Sequence, residues 1–194
     1  MSTLDRDKWD RRYRALDHEP RSPEPSPWLA AVADRLPSRG RALDVAGGAG
    51  RNALWLARRG LDTTVADVSP EGLSLARRRA DEASLRLTTL EVDLADSPFP
   101  EGPWDVIASF LFLQRDLFPA MAEALAPGGL LVFLQPTVTN LERHPRPPRR
   151  FLLETGELAS LVAPLGLEVL RLDERWQDGG HHEARLLARR HAVG

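Results

Sequence analysis

Cysteine is absent from this 194-residue chain, lysine occurs once (Lys8), tyrosine once (Tyr13) and methionine twice. Without cysteine there is no disulfide, no thiolate metal site and no cysteine nucleophile, and no metal is expected. No apolar run approaches the ~20 residues of a membrane helix. The charged opening MSTLDRDKWDRRYRALD lacks the apolar centre of a secretory signal, so no membrane association and a cytoplasmic location are expected. An excess of either charge is missing too. With 26 basic and 28 acidic side chains the net charge is −2, and the chain as a whole has no electrostatic footprint for nucleic acid. The near-exclusive use of arginine for basic positions is read as compositional bias. What remains, 42% hydrophobic and 28% charged, is the composition of an ordinary soluble domain without internal repeats.

The chain is organised around residues 41–55. Leu43 and Val45 suit a short apolar strand, and Gly47, Gly48 and Gly50 form a dense turn that permits positive φ and close approach to a ligand. From Asn52, positions Ala53, Leu54, Leu56 and Ala57 suit a buried helix face, with Gly60 as the C-cap. Strand, glycine turn and helix N-terminus together present free backbone N–H groups to a nucleotide-like ligand.

Around that unit the chain alternates. Residues 4–17 place Leu4, Trp9, Tyr13 and Leu16 on one helix side, a proline-rich connection spans 18–25, and Ser26-Pro27 starts a second helix running to about Leu36. Strands are predicted at 41–45, 62–66, 86–92, 104–110 and 130–134. Helices are predicted at 51–59, from Ser69-Pro70, and at 115–125. Arg77, Arg78 and Arg79 read as a solvated helix face. A Pro/Arg loop covers 136–150, a capped helix starts at Thr155-Gly156-Glu157, and strands at about 167–173 and 183–189 form an antiparallel edge hairpin. The expected organisation is one domain over 1–194. It comprises N-terminal helices or a lid at 1–36, a cofactor-binding core at 41–134, the 136–150 loop, and a C-terminal helix and hairpin at 151–194. Repeated strand–helix–strand units mean right-handed crossovers and a mostly parallel sheet covered on both faces, an α/β class.

Gly48-x-Gly50-x-x-Ala53, with Asp67 downstream, also fits a dinucleotide fingerprint and keeps an NAD(P)-dependent oxidoreductase open. Asp44 argues against it. A carboxylate at the strand end before the glycines repels a pyrophosphate and attracts the ammonium of a sulfonium amino acid. Asp67 ends the second strand, suited to ribose hydroxyls, and Asp93 ends the third, suited to an adenine amine. A cationic head, a ribose and no phosphate describe S-adenosyl-L-methionine.

With those residues in view, the chain resembles the class I S-adenosylmethionine-dependent methyltransferases. Ala42 to Gly50 resembles their first motif, with Ala46 where glycine is usual. Val65-Ala66-Asp67-Val68-Ser69-Pro70 resembles the ribose motif, Val92-Asp93-Leu94 the adenine motif, and Leu125-Ala126-Pro127-Gly128-Gly129 the turn before the fifth strand. More narrowly, Asp44–Leu56 with Arg51-Asn52, and Trp9-Asp10-Arg11-Arg12-Tyr13, are similar to the tellurite-resistance and thiopurine methyltransferase branch. The resemblance implies a Rossmann-like three-layer αβα sandwich with a seven-stranded sheet, mostly parallel, whose last strand is antiparallel. It implies cofactor contacts at Asp44, Ala46, Gly47, Gly48, Gly50, Asn52, Asp67, Val68, Asp93, Leu94, Ser109 and Phe110. Trp9, Arg12 and Tyr13 become lid contacts, with packing anchors as the alternative for Trp9 and Tyr13.

The reaction expected is methyl transfer to a small-molecule acceptor: a thiol, a chalcogen oxyanion or similar. Pyrimidine C5 methylation needs the missing cysteine, and Ser109-Phe110-Leu111-Phe112 stands where exocyclic-amine methylases carry a polar, proline-rich motif. Arg115, His144 and Arg146 are the candidates for binding an anion or supplying a base, with a solvated loop as the alternative for the latter two. His181 and His182 are expected to face solvent. A cofactor-binding module without catalysis and an RNA methyltransferase remain as alternatives.

Overall fold

In the computed structural model, which describes residues 3–16 and 24–192, seven strands form one sheet in the order β3-β2-β1-β4-β5-β7-β6. The strands are β1 (Arg41–Val45), β2 (Asp62–Asp67), β3 (Thr88–Glu91), β4 (Trp104–Phe110), β5 (Leu125–Pro136), β6 (Leu167–Trp176) and β7 (His182–Arg190). The pairings β1–β2, β1–β4, β2–β3 and β4–β5 are parallel, whereas β7 runs antiparallel to both β5 and β6. The final hairpin therefore inserts its second strand into the sheet and leaves β6 at the edge. The strand order reverses between β1 and β4, where open α/β sheets bind ligands beyond their carboxyl ends.

Alternation along the strands divides the core. Leu43, Val45, Ile107, Leu131 and Phe133 pack on one face with the helices α5 (Leu117–Ala124) and α6 (Glu157–Val162). Ala42, Val106, Ala108, Phe110, Val132 and Leu134 pack on the other with Trp28, Leu29 and Leu56. Trp28 and Leu29 belong to α2 (Pro27–Ala31), and Leu56 to α3 (Arg51–Arg58). α2 is shorter than its apolar spacing predicts, because the chain tightens into a 3₁₀ turn at Ala33–Arg35. Ser26 makes no side-chain cap; its N–H instead donates to Asn52 Oδ1 at 2.8 Å. The cap of α4 (Pro70–Glu82) follows the sequence pattern, with Ser69 Oγ accepting from the Gly72 N–H at 3.0 Å. At the expected Thr155 cap, Gly156 occupies the N-cap in a left-handed conformation without a side-chain bond.

The first helix, α1 (Thr3–Leu16), lies against α4. Of the proline-rich connection at 18–25, residues 18–23 fall outside the described residues. Among the described residues no helix is long and apolar enough to cross a membrane.

Candidate cofactor site at the carboxyl ends of β1 and β2

Asp44 sits near the end of β1 with 1% of its surface exposed. Its Oδ2 accepts from the Ala53 N–H at 3.1 Å, in the first turn of α3. Burial pushes its carboxyl up to about 7; the Ala53 bond and the Arg51 charge oppose that shift, and Asp67 adds to it. One strand over, Asp67 is also buried and shifted upward, again chiefly by desolvation. Its Oδ2 accepts from the Gly48 N–H and its Oδ1 from the Ser69 N–H, each at 2.8 Å. Asp67 thus clamps the glycine turn to the end of β2. Two buried carboxylates, neither facing a buried cation among the described contacts, flank the glycine turn.

The turn divides its work differently from the sequence expectation. Positive φ occurs at Ala46 (52°), Gly48 (54°) and Gly50 (74°), not at Gly47. Gly47 is needed for proximity: a Cβ there would lie 2.5 Å from Asp44 Oδ2. Ala46 therefore carries the left-handed strain that glycine would relieve, and its methyl is accommodated at a cost of about 1 kcal/mol.

α1 roofs this turn. The Tyr13 hydroxyl packs so close to Gly48 that a Cβ there would lie 1.8 Å from it, and its ring lies 2.8 Å from the Cβ position of Gly72. Burial, reinforced by the Asp67 charge, pushes the Tyr13 hydroxyl up, so it stays a neutral donor. Trp9 stacks on Tyr13 with centroids 5.9 Å apart, and Arg12 lies 5.2 Å over Trp9. The helix is fastened by Arg6, whose Nε donates to Val68 O at 3.2 Å, and by Arg14 on Glu71. Between them, buried Asp10 accepts from Ser69 Oγ. In the sequence Asp10 stands inside the Trp9–Tyr13 stretch with no expected role. The only available signal was its spacing from Tyr13, which puts both on one helix side.

Other expected residues are placed as follows. Asp93 lies two residues beyond β3, half-buried, with Oδ1 accepting from the Ala95 N–H at 3.0 Å; Leu94 is buried in the core. Asn52 is buried, and its Oδ1 accepts from the Ser26 N–H, tying α3 to the start of α2. Ser109, at the end of β4, is buried with its Oγ unpartnered. Phe110 packs into the core beside Leu134, and it is Leu111, at φ 60° and 56% exposed, that stands out at the strand end.

Arg115, His144 and Arg146 are not gathered at this turn. Arg115 pairs with Glu157, donating to Oε2 at 2.8 Å, and donates to Leu152 O at 3.1 Å. The pairing holds the arginine above and the glutamate below their usual values. His144 donates from Nε2 to Gly180 O at 2.7 Å and stacks on His181 at 4.5 Å. His181 is exposed as expected, but His182 is half-buried and bonded to Thr137 Oγ1 at 2.7 Å. Arg143 stacks on Trp176, Arg149 pairs with Glu154, and Arg146 lies on the exposed loop surface. In outline, the loop is a clasp onto the β6–β7 hairpin.

Two buried carboxylates at the strand ends beside the switch point, where a pyrophosphate would meet the Asp44 charge, form a candidate site for a cationic, phosphate-free nucleoside. Comparison with known proteins agrees: residues 42–129 match the methyltransferase domain family. The chain is 40% identical over 102 residues to a demethylmenaquinone methyltransferase of Thermus thermophilus, covering 49% of this chain and 46% of that protein. It is 34% identical over 113 residues to a ubiquinone biosynthesis O-methyltransferase of Xylella fastidiosa, covering 53% and 45%. The chain thus spans about half the length of the curated relatives it matches. In structure it is similar to TehB from Haemophilus influenzae (TM-score 0.67, 23% identity, 84% and 61% coverage). It is also similar to a SAM-dependent methyltransferase from Aquifex aeolicus (TM-score 0.69, 19% identity, 93% and 97% coverage). The domain match and these likenesses support a class I methyltransferase domain over residues 42–129 that takes S-adenosylmethionine as its cofactor.

Proposed function

We propose that the chain is a cytoplasmic enzyme that transfers a methyl group from S-adenosylmethionine to a small-molecule acceptor. The observation that carries this reading is the pair of buried, upward-shifted carboxylates, Asp44 and Asp67, on either side of the glycine turn. A buried carboxylate short of a cation gains from an ammonium head, and Asp67 can accept ribose hydroxyls on the lone pairs left by Gly48 and Ser69. A nicotinamide dinucleotide would bring its phosphates against Asp44, which disfavours that alternative. When bound, the cofactor supplies an electrophilic methyl on a sulfonium whose departure leaves a neutral thioether.

The protein's share is positioning and exclusion of water. Trp9, Arg12 and Tyr13 would cover the cofactor from α1, while Ser109 offers a free hydroxyl at the end of the central strand β4. The acceptor is a thiol, a chalcogen oxyanion or a similar soft nucleophile. Two features favour the less charged end of that range: Arg115 is already matched by Glu157, and Leu111 gives the rim of β4 an apolar surface. No general base is required for a thiolate, and the ring hydrogen bonds of His144, His181 and His182 lie away from the turn.

The test is transfer of labelled methyl from S-adenosylmethionine to low-molecular-weight thiols, selenite and tellurite. Label on a thiol, lost in Asp67→Ala, is the expected result. Cofactor binding with no transfer to any acceptor would convert the reading to a binding module, and binding of NADH in place of S-adenosylhomocysteine would overturn it.

A further inference from the structure

Among the described residues, Arg6, Asp10 and Arg14 fasten α1 to the segment following β2 and to the end of β3, and their contacts are not equivalent. Arg6 on Val68 O and Glu91, and Arg14 on Glu71, involve side chains 41% and 61% exposed, where water competes and ion pairs add little. The Asp10–Ser69 bond is buried at both ends. Ser69 is a hub. Its N–H donates to Asp67 Oδ1, its Oγ accepts from the Gly72 N–H, and its one hydroxyl proton is given to Asp10. The residue that caps α4 therefore also joins the ribose-side carboxylate, through its backbone N–H, to the roof, through its hydroxyl. Tyr13 lies three residues beyond Asp10, on the same side of α1, and its hydroxyl reaches Gly48. Gly72 leaves the space that its ring needs. The register of α1 set at Asp10 thus fixes where Tyr13 meets the glycine turn.

We propose that Asp10 is a positioning residue: through Ser69 it couples occupancy of the cofactor site at Asp67 to closure of α1 over that site. The coupling rests on the assignment of Asp44 and Asp67 as the cofactor site. A ligand held by Asp67 stiffens the Ser69 frame, and Asp10 converts that stiffness into a fixed Tyr13. The role asks only for a hydrogen-bond acceptor at position 10, which separates it from a role in charge.

The experiment measures S-adenosylhomocysteine affinity by calorimetry in the full-length protein. Alongside it, mass spectrometry follows trypsin cleavage within α1, at Arg6, Lys8, Arg11, Arg12 and Arg14. Asp10→Asn keeps an acceptor for Ser69 and is expected to bind within about threefold of wild type, with cleavage slowed equally by ligand. Asp10→Ala is expected to bind about tenfold more weakly, the scale of one lost hydrogen bond to a charged group. At saturating ligand it should still cut α1 nearly as fast as without ligand. In a double-mutant cycle, Asp10→Ala and Tyr13→Ala should weaken binding by less than the product of their separate effects. Multiplicative effects, an Asp10→Asn as defective as Asp10→Ala, or full protection of α1 in saturated Asp10→Ala would each overturn the latch alone. A wild-type protein that fails to bind S-adenosylhomocysteine would overturn the cofactor assignment and the latch with it.

Discussion

Cofactor binding should release a proton, and Asp44 is the reason. In the unliganded protein burial holds its carboxyl at about 7. A cationic ligand favours the ionised form and returns the group toward about 4, its ordinary range. At pH 6 the free site then holds about 0.9 of a proton that the complex does not, and at pH 8 about 0.1. The sign follows directly. Below pH 7 the carboxyl must lose its proton before pairing, so affinity falls as pH falls, by about 50-fold between pH 7 and pH 5. Asp67, also shifted upward, acts in the same direction. Calorimetry of S-adenosylhomocysteine binding at pH 6, in buffers of different ionisation enthalpy, reads the proton count. Asp44→Asn keeps an acceptor for the Ala53 N–H but carries no charge, and is expected to lower the release by about half or more. Release near zero in wild type, or undiminished release in Asp44→Asn, would refute the electrostatic argument. The same shift predicts that the unliganded protein loses stability as pH rises from about 4 to 7, because the folded state retains a proton that the unfolded chain has given up.

Three further outcomes are expected. Asp67→Ala should abolish measurable cofactor binding and lower stability by about 1–3 kcal/mol, since the N–H groups of Gly48 and Ser69 lose their acceptor; calorimetry and chemical denaturation check both. Ala46→Gly should raise stability by up to about 1 kcal/mol, read as a higher denaturation midpoint, because the left-handed φ of 52° costs alanine more than the freer unfolded glycine chain takes back; a lower midpoint would contradict the strain assigned there. Arg115→Ala should cost about 1 kcal/mol of stability, a partly exposed ion pair, while leaving S-adenosylhomocysteine affinity unchanged; a large loss of affinity would restore Arg115 to the site.

The sequence by itself determined the order of strands and helices and the carboxylates at the first two strand ends, because both are local properties of spacing and residue type. The Ser69-Pro70 cap is local in the same sense: the serine, its bond partner Gly72 and the proline lie within four residues. Contacts between segments were beyond its reach. Arg115 reads as a free cation until Glu157, 42 positions away, is folded against it, and His144 as a candidate base until Gly180, 36 positions away, takes up its Nε2 proton. The bond from the Ser26 N–H to Asn52 Oδ1, across 26 positions, is of the same kind. The glycine turn shows the division within five residues. Composition announces a turn that needs left-handed backbone, yet only the surrounding packing assigns that conformation to Ala46, Gly48 and Gly50 and leaves Gly47 to make room for Asp44. Spacing along the chain fixes which groups are available; the folded packing fixes which of them meet, because the cost of burying a polar group is settled by partners that periodicity does not encode.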